Sequence, residues 1–172
     1  MLRSPRLDLP ELTTETLARI AGGDRAAVEA DLGAAAPDEW LDAVPAAVNY
    51  QLLRQDPEAG PWLSRGIVLR EERRLVGEVG FHSPPDELAV VEIGYEVLPG
   101  YRRRGIAREA IRAVTDWAYS TGLARLVYAT IAQANLPSIA LVRSLGFTFD
   151  EACVDPVDGP LVFYEGKLPL VR

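Results

Sequence analysis

The chain is poor in the residues that build metal and thiol chemistry. Its 172 residues include one cysteine, Cys153, and one histidine, His82. A single cysteine excludes an internal disulfide and a thiolate cluster, and a single histidine leaves too few nitrogen ligands for a typical zinc site, so no metal is expected. Lysine is as scarce: Lys167 is the only one, so almost all positive charge is arginine, whose planar fork suits oxyanions. Positive charge as a whole is in deficit, 18 Lys plus Arg against 25 Asp plus Glu, a formal charge of -7. That balance argues against a nucleic-acid partner, which would call for a basic stripe. No apolar run approaches the length of a membrane span. The opening MLRSPRLDLP is too polar and proline-broken for a signal peptide. A cytoplasmic protein with no membrane partner is the expectation.

What is present is ordinary globular composition, 48% apolar and 25% charged, in a length that suits one domain over residues 1–172 with a sizeable core. Residues 2–9 alternate loosely and read as an opening edge strand, with Pro5 and Pro10 confining it to the edge. Residues 11–60 are mainly helical and alanine-rich. Thr13 or Thr14 can cap a helix ending at Gly22-Gly23, and Asp24 can cap a second ending at Gly33. A third helical stretch carries Val44, Val48 and Leu52 at spacings of four, with Pro45 beginning or bending it. After Pro61 the period changes: residues 66–70, 74–82 and 87–97 read as strands, the last two joined across SPPDE as a hairpin. A helix follows Gly105 with Ile106, Ala110, Ile111, Val114, Trp117 and Ala118 on one face. Residues 124–131 form a strand run. Asn135-Leu136-Pro137-Ser138 opens a further helix with Ile139, Val142 and Leu145 inward, and two closing strands follow. The expected class is mixed α/β with one strand–helix–strand crossover.

Arg102, Arg103, Arg104 and Arg108 crowd around Gly105 where a strand turns into a helix. The first turn of a helix leaves N–H groups unpaired, and with the helix dipole these make an anion site. Gly105 lets the backbone approach a ligand and Ala107 does not block it, so the turn is a candidate pyrophosphate cradle. No Gly-Lys-Ser/Thr follows, and no G-x-G-x-x-G is present, which excludes the Walker and dinucleotide motifs.

Val97-x-Pro99-x-Tyr101-Arg102-x-Arg104-Gly105-x-Ala107 resembles the acyl-CoA signature of the GNAT family of N-acetyltransferases. Asn135-x-x-Ser138 followed by Leu145-Gly146-Phe147 is similar to a second family block. Glu92-Ile93-Gly94-Tyr95 is similar to the branch that acetylates ribosomal-protein N-termini. The resemblance implies a mixed, mostly antiparallel sheet flanked by helices, with a splayed strand pair holding CoA. Residues 87–147 would be the acyl-CoA-binding core and residues 11–60 the acceptor side. It implies acetyl-CoA as cosubstrate and, as acceptor, a primary amine on a small molecule or a peptide N-terminus, in a monomer or homodimer. Cofactor contacts would come from Tyr95, Val97, Leu98, Arg102, Arg103, Arg104, Gly105, Ile106, Ala107, Asn135 and Ser138, with a backbone N–H near Val97 polarising the thioester carbonyl.

Strand parity puts Glu92, Gly94 and Glu96 on one face, and Glu78, Gly80 and His82 on one face of the neighbouring strand. Glu92 is the first candidate for a general base, with Glu78 and His82 behind it. Many family members carry a tyrosine acid on the last helix; here that position is Val142, so Ser138 is the candidate thiolate partner. Trp40, Tyr50, Trp62, Phe81 and Tyr164 are candidates to line an acceptor pocket. The alternative reading is a non-catalytic acyl-CoA-binding or sensing module, or a protein-interaction domain.

Overall fold

Pro5 breaks the opening strand in two. In the computed structural model, which describes residues 1–171, β1 (Leu2–Arg3) and β2 (Leu7–Leu9) fold back on each other antiparallel, where one continuous edge strand was expected. The helical region follows its capping signals. Thr13 accepts from the Thr16 N–H at the start of α1 (Thr14–Ala21). Asp24 accepts from the Ala27 N–H at the start of α2 (Arg25–Leu32), which ends at Gly33 in the left-handed region. Two further helices, α3 (Asp38–Ala43) and α4 (Ala46–Gln55), stand where one was expected. Val44 lies between them and is buried, whereas Val48 and Leu52 are exposed. The inward face of α4 is Ala46, Asn49 and Leu53, because Pro45 resets the helical phase.

β3 (Arg65–Leu69), β4 (Arg74–Phe81), β5 (Val90–Val97), α5 (Ile106–Ser120), β6 (Leu126–Ala132), α6 (Leu136–Ser144), β7 (Thr148–Asp155) and β8 (Gly159–Lys167) follow. Together the strands make one sheet in the order β1-β2-β3-β4-β5-β6-β8-β7. Every neighbouring pair is antiparallel except β5–β6, which is parallel because α5 crosses between them. This is the mixed α/β architecture expected.

Two cores flank the sheet. One packs Val79, Ile93 and Val127 against Ile106, Ile111 and Val114 of α5 and Val142 beside it on α6. The other packs Leu17, Val28, Trp40 and Leu53 of the N-terminal helices against Val68 and Leu75. Trp40 is 1% exposed, and its Nε1–H donates to the Gly77 carbonyl at 2.7 Å, so its one polar atom is satisfied where it is buried. That bond ties the N-terminal helical layer to the strand that carries Glu78.

Candidate active site

β5 and β6 part company after three rungs: Val90↔Leu126, Val91↔Val127 and Glu92↔Tyr128. Beyond them β5 continues along β4 to Val97, and β6 continues along β8 to Ala132. The direction of the free backbone groups follows from the ladder. The His82 N–H donates to the Glu92 carbonyl at 2.9 Å and the Leu98 N–H donates to the Val76 carbonyl at 2.8 Å. Even-numbered residues of β5 therefore bond to β4, and Tyr95 and Val97 turn their backbone groups toward the gap. Arg102 Nε reports that direction by donating to the Val97 carbonyl at 2.7 Å. The resulting cleft, about 720 Å³, is lined by Tyr95, Val97, Arg102, Arg103, Gly105, Ile106, Ala107, Asn135 and Ser138.

At the mouth of α5, Arg103 (φ 63) and Gly105 (φ 76) both lie in the left-handed region. A β-carbon at Gly105 would meet only Arg6 within 4 Å, at 3.5 Å, but the backbone conformation itself is one L side chains rarely adopt. The first bond of the helix runs from the Glu109 N–H to the Gly105 carbonyl, and no side chain caps the end. The N–H groups of Ile106, Ala107 and Arg108 are thus available to an anion. The turn fits a phosphate.

The arginines divide. Arg102 is committed to Val97 and lies 3.6 Å from Glu96. Arg108 binds Ser144 on α6. Arg103 lines the cleft with no polar partner among the described residues. Arg104 turns away: its Nη2 reaches Glu72 at 3.4 Å, and its guanidinium lies over the Tyr101 ring. Leu98 also departs from expectation. Its side chain is buried in the opposite core and its N–H is spent on Val76. Neither Arg104 nor Leu98 faces the cleft. Ile106 contributes its backbone only, since its side chain is in the core.

Across the cleft, Asn135 Oδ1 accepts from the Ser138 N–H at 3.2 Å. The Ser138 hydroxyl lies 2.7 Å from the Tyr95 hydroxyl. Burial pushes the Tyr95 phenol up, with Ser138 pulling the other way, so the phenol stays protonated at neutral pH. Val142 is fully buried, and it is β5 that supplies a tyrosine to the cleft. Strand alternation was the signal available: Tyr95 lies on the opposite face from Glu92 and Glu96.

On that other face the acids meet in register. Glu78 pairs with Glu96 and Gly80 with Gly94, and His82 follows opposite Glu92. The missing side chain of Gly94 makes room for the His82 ring, whose Nε2 would lie 2.8 Å from a β-carbon there. Glu92 is fully engaged: Oε1 accepts from the Thr130 hydroxyl at 2.5 Å and Oε2 lies 3.4 Å from His82 Nδ1. His82 foremost, then Thr130, holds the Glu92 carboxyl below its ordinary range despite burial, and the same contact raises His82. A carboxylate held that way is a weak base at neutral pH. Glu78 is the opposite case. Burial, with the nearby Glu96 charge, pushes its carboxyl up to about 7, against a smaller pull from Ser64 and His82. Its Oε2 is buried with no hydrogen-bond partner. Asn49 donates to Ser64 at 2.9 Å, fixing the hydroxyl beside Glu78. Of the two candidate bases, Glu92 is thus the carboxyl held ionised and Glu78 the one whose proton is held toward neutrality.

Of the aromatic residues expected to line an acceptor pocket, Trp40, Trp62, Phe81 and Tyr164 are core, and Tyr50 alone is half-buried. Among the described residues no cluster of His, Cys, Asp and Glu suits a metal.

A sheet parted beside a phosphate-fitting turn, with ionisable groups on the opposite face of the strands that border the gap, is the arrangement that an acyltransferase taking an acyl-CoA would need. The Acetyltransferase (GNAT) domain model matches residues 1–148. The uncharacterized N-acetyltransferase YjdG of Bacillus subtilis is 28% identical over 154 residues, 86% of this chain and 89% of that protein. YoaA of the same organism, likewise an uncharacterized N-acetyltransferase, is 33% identical over 100 residues, 58% of this chain; the match spans about half of that relative, 54%. Among solved structures, a ribosomal-protein-S5-alanine acetyltransferase from Vibrio fischeri superposes with a TM-score of 0.68 at 14% identity, over 97% of this chain and 96% of its own. The microcin C7 self-immunity acetyltransferase MccE, in complex with acetyl-CoA and AMP, superposes at 0.63 and 18%, over 95% and 93%. The chain belongs to the GNAT acetyltransferase family.

Proposed function

We propose that the protein moves an acetyl group from acetyl-CoA to a primary amine, on a small molecule or a free peptide N-terminus, by direct attack with both substrates bound. The observation that carries this is the gap itself. Backbone groups of Tyr95 and Val97 line it beside the anion turn, and Glu78 lies on the adjoining strand β4, on the face of the sheet opposite Tyr95. Acetyl-CoA supplies an activated acyl carbon; the chain supplies position and protons. The amides of residues 106–108, with Arg103, hold the pyrophosphate, and the Tyr95–Val97 edge offers its hydrogen bonds to the pantetheine arm. The Val97 N–H donates to the thioester oxygen, where charge develops. Glu78, carrying a pKa near the working pH, takes the proton the amine loses as the C–N bond forms. As the C–S bond breaks, the Tyr95 hydroxyl gives its proton to sulfur and is reloaded from solvent through Ser138. Glu92 orients His82 at the entrance.

The named neighbours support both halves of the reading: one is an acetyltransferase of a ribosomal protein and one was solved with acetyl-CoA. The test is a thermal-shift titration with acetyl-CoA, followed by thiol release over a panel of amines and free-N-terminal peptides. Acetyl-CoA at millimolar concentration is expected to raise the melting temperature by mass action, and at least one amine to release thiol. No thermal shift would remove the reading altogether. A shift without turnover on any amine would leave a binding module in its place.

A further inference from the structure

The turn between β1 and β2 brings to the phosphate cradle a cation that lies outside the Arg102–Ala107 motif. Glu109, on the first turn of α5, grips Arg6 twice. Its Oε1 accepts from the Arg6 N–H and its Oε2 from Arg6 Nε, each at 2.7 Å. The Ser4 hydroxyl donates to the same Oε1 at 2.6 Å, which fixes the carboxylate in turn. From this anchor Arg6 Nη1 donates to the Arg104 carbonyl at 3.0 Å, so the guanidinium is held by the phosphate turn itself. That leaves Nη2. It has no acceptor among the described residues, and it stands 3.5 Å from where a β-carbon on Gly105 would be. The open amides of Ile106, Ala107 and Arg108 are on the same end of the helix.

Two explanations compete. Arg6 is either a clip that only fastens the N-terminal turn to α5, or it also offers a hydrogen-bond donor to whatever occupies the turn. A clip alone is already complete with the Glu109 fork and the Arg104 carbonyl. The remaining N–H pair faces Gly105, the one position in the turn without a side chain. The guanidinium is also fixed before any ligand arrives, so little side-chain freedom is lost on contact.

We infer that Arg6 is a phosphate-binding residue of the cofactor site, donating from Nη2 to a phosphate oxygen held at the α5 N-terminus. This rests on the reading of the cleft as an acyl-CoA site. It makes the cradle bipartite: amides from one end of a helix, and a guanidinium from the turn beside the opposite edge strand.

The experiment is calorimetric binding of acetyl-CoA at several salt concentrations, for wild type, Arg6→Gln and Arg6→Lys. A charge-assisted bond to phosphate predicts that Arg6→Gln raises Kd by about 10- to 100-fold and flattens its dependence on salt. Arg6→Lys keeps the charge and is expected to retain most of the salt dependence while losing affinity, because an ammonium cannot span Glu109, the turn and a phosphate at once. It also serves if Arg6→Gln does not fold. A Kd within twofold of wild type in both variants overturns the inference. So does a weakened Kd whose salt dependence is unchanged, which would mean that Arg6 only shapes the turn. A wild type that does not bind acetyl-CoA fails the cofactor reading first, and is distinguished by requiring no variant.

Discussion

The cleft at the gap and the acid face of the strands beside it are made from different materials. The cofactor side is mostly backbone: amides at a helix end, a strand edge released from its neighbour, and a glycine that keeps the approach open. The other side is side chains, three carboxylates and an imidazole delivered in register by paired strands. Backbone groups bind by position, and their chemistry does not change with pH. Side-chain acids act through their protonation state, which burial and neighbours set. The cofactor side should therefore respond to changes of shape, and the acid side to changes of charge.

The sharpest test of that contrast is Glu78→Gln, which alters charge and almost nothing else. Loss of the base is expected to lower kcat by about 10²–10⁴-fold with little effect on the Kd of acetyl-CoA. The pH profile gives the sign. Glu78 accepts a proton only when ionised, so wild-type activity rises as pH passes its value of about 7, and the variant loses that limb. Stability runs the other way. The folded carboxyl binds its proton more tightly than the unfolded one, whose ordinary value is 4.5, so wild type loses stability as pH rises between the two. Glu78→Gln is expected to melt higher than wild type above pH 7. A wild-type rate that is flat from pH 6 to 8 would take Glu78 out of the mechanism.

Next comes a change of shape on the cofactor side. Gly105→Val puts a branched side chain into a left-handed backbone conformation, which costs roughly 1–3 kcal/mol in strain, and it crowds the phosphate turn besides. If the turn relaxes out of that conformation, restoring it on binding takes the same free energy, so acetyl-CoA affinity is expected to fall by about 30-fold, the middle of that range, measured by calorimetry on a variant shown to be folded. The smallest effect is reserved for Arg104→Ala. Its side chain turns from the cleft to Glu72, at 3.4 Å in an exposed pair, and such pairs contribute about 0–1 kcal/mol, so acetyl-CoA affinity should stay within about fivefold. A larger loss from Arg104 than from Gly105 would reverse the comparison and make charge the main determinant of the cofactor side.

The same contrast explains what could be read in advance. The cofactor side was legible because its parts are contiguous: turn, glycine, helix start and the Asn135–Ser138 cap all follow from short stretches. Where it misled, the fault was direction. Arg104 and Leu98 sit in the right stretch, but one points to Glu72 and the other into the opposite core. Arg6 was out of reach, since nothing local tells that the β1–β2 turn returns to α5. On the acid side, alternation placed Glu78, His82 and Glu92 on shared faces correctly. Which carboxyl is held low and which is pushed up could not be seen there, because Thr130 comes from another strand and Ser64 from a preceding loop. The face of α4 was misjudged for a local reason: Pro45 separates Val44 from the helix whose phase it seemed to set.

Three rungs hold the two halves of an eight-stranded sheet to each other. A seam so short is where the sheet would open first, and its amides would exchange with solvent sooner than those of the β6–β8 ladder, which pairs continuously from Leu126 to Ala132. A ligand lying along the Tyr95–Val97 edge would act as a staple across that seam. The bound protein should then gain hydrogen-exchange protection not only at the residues it touches but through Val90–Glu92, converting a cofactor site into a mechanical fastening of the fold.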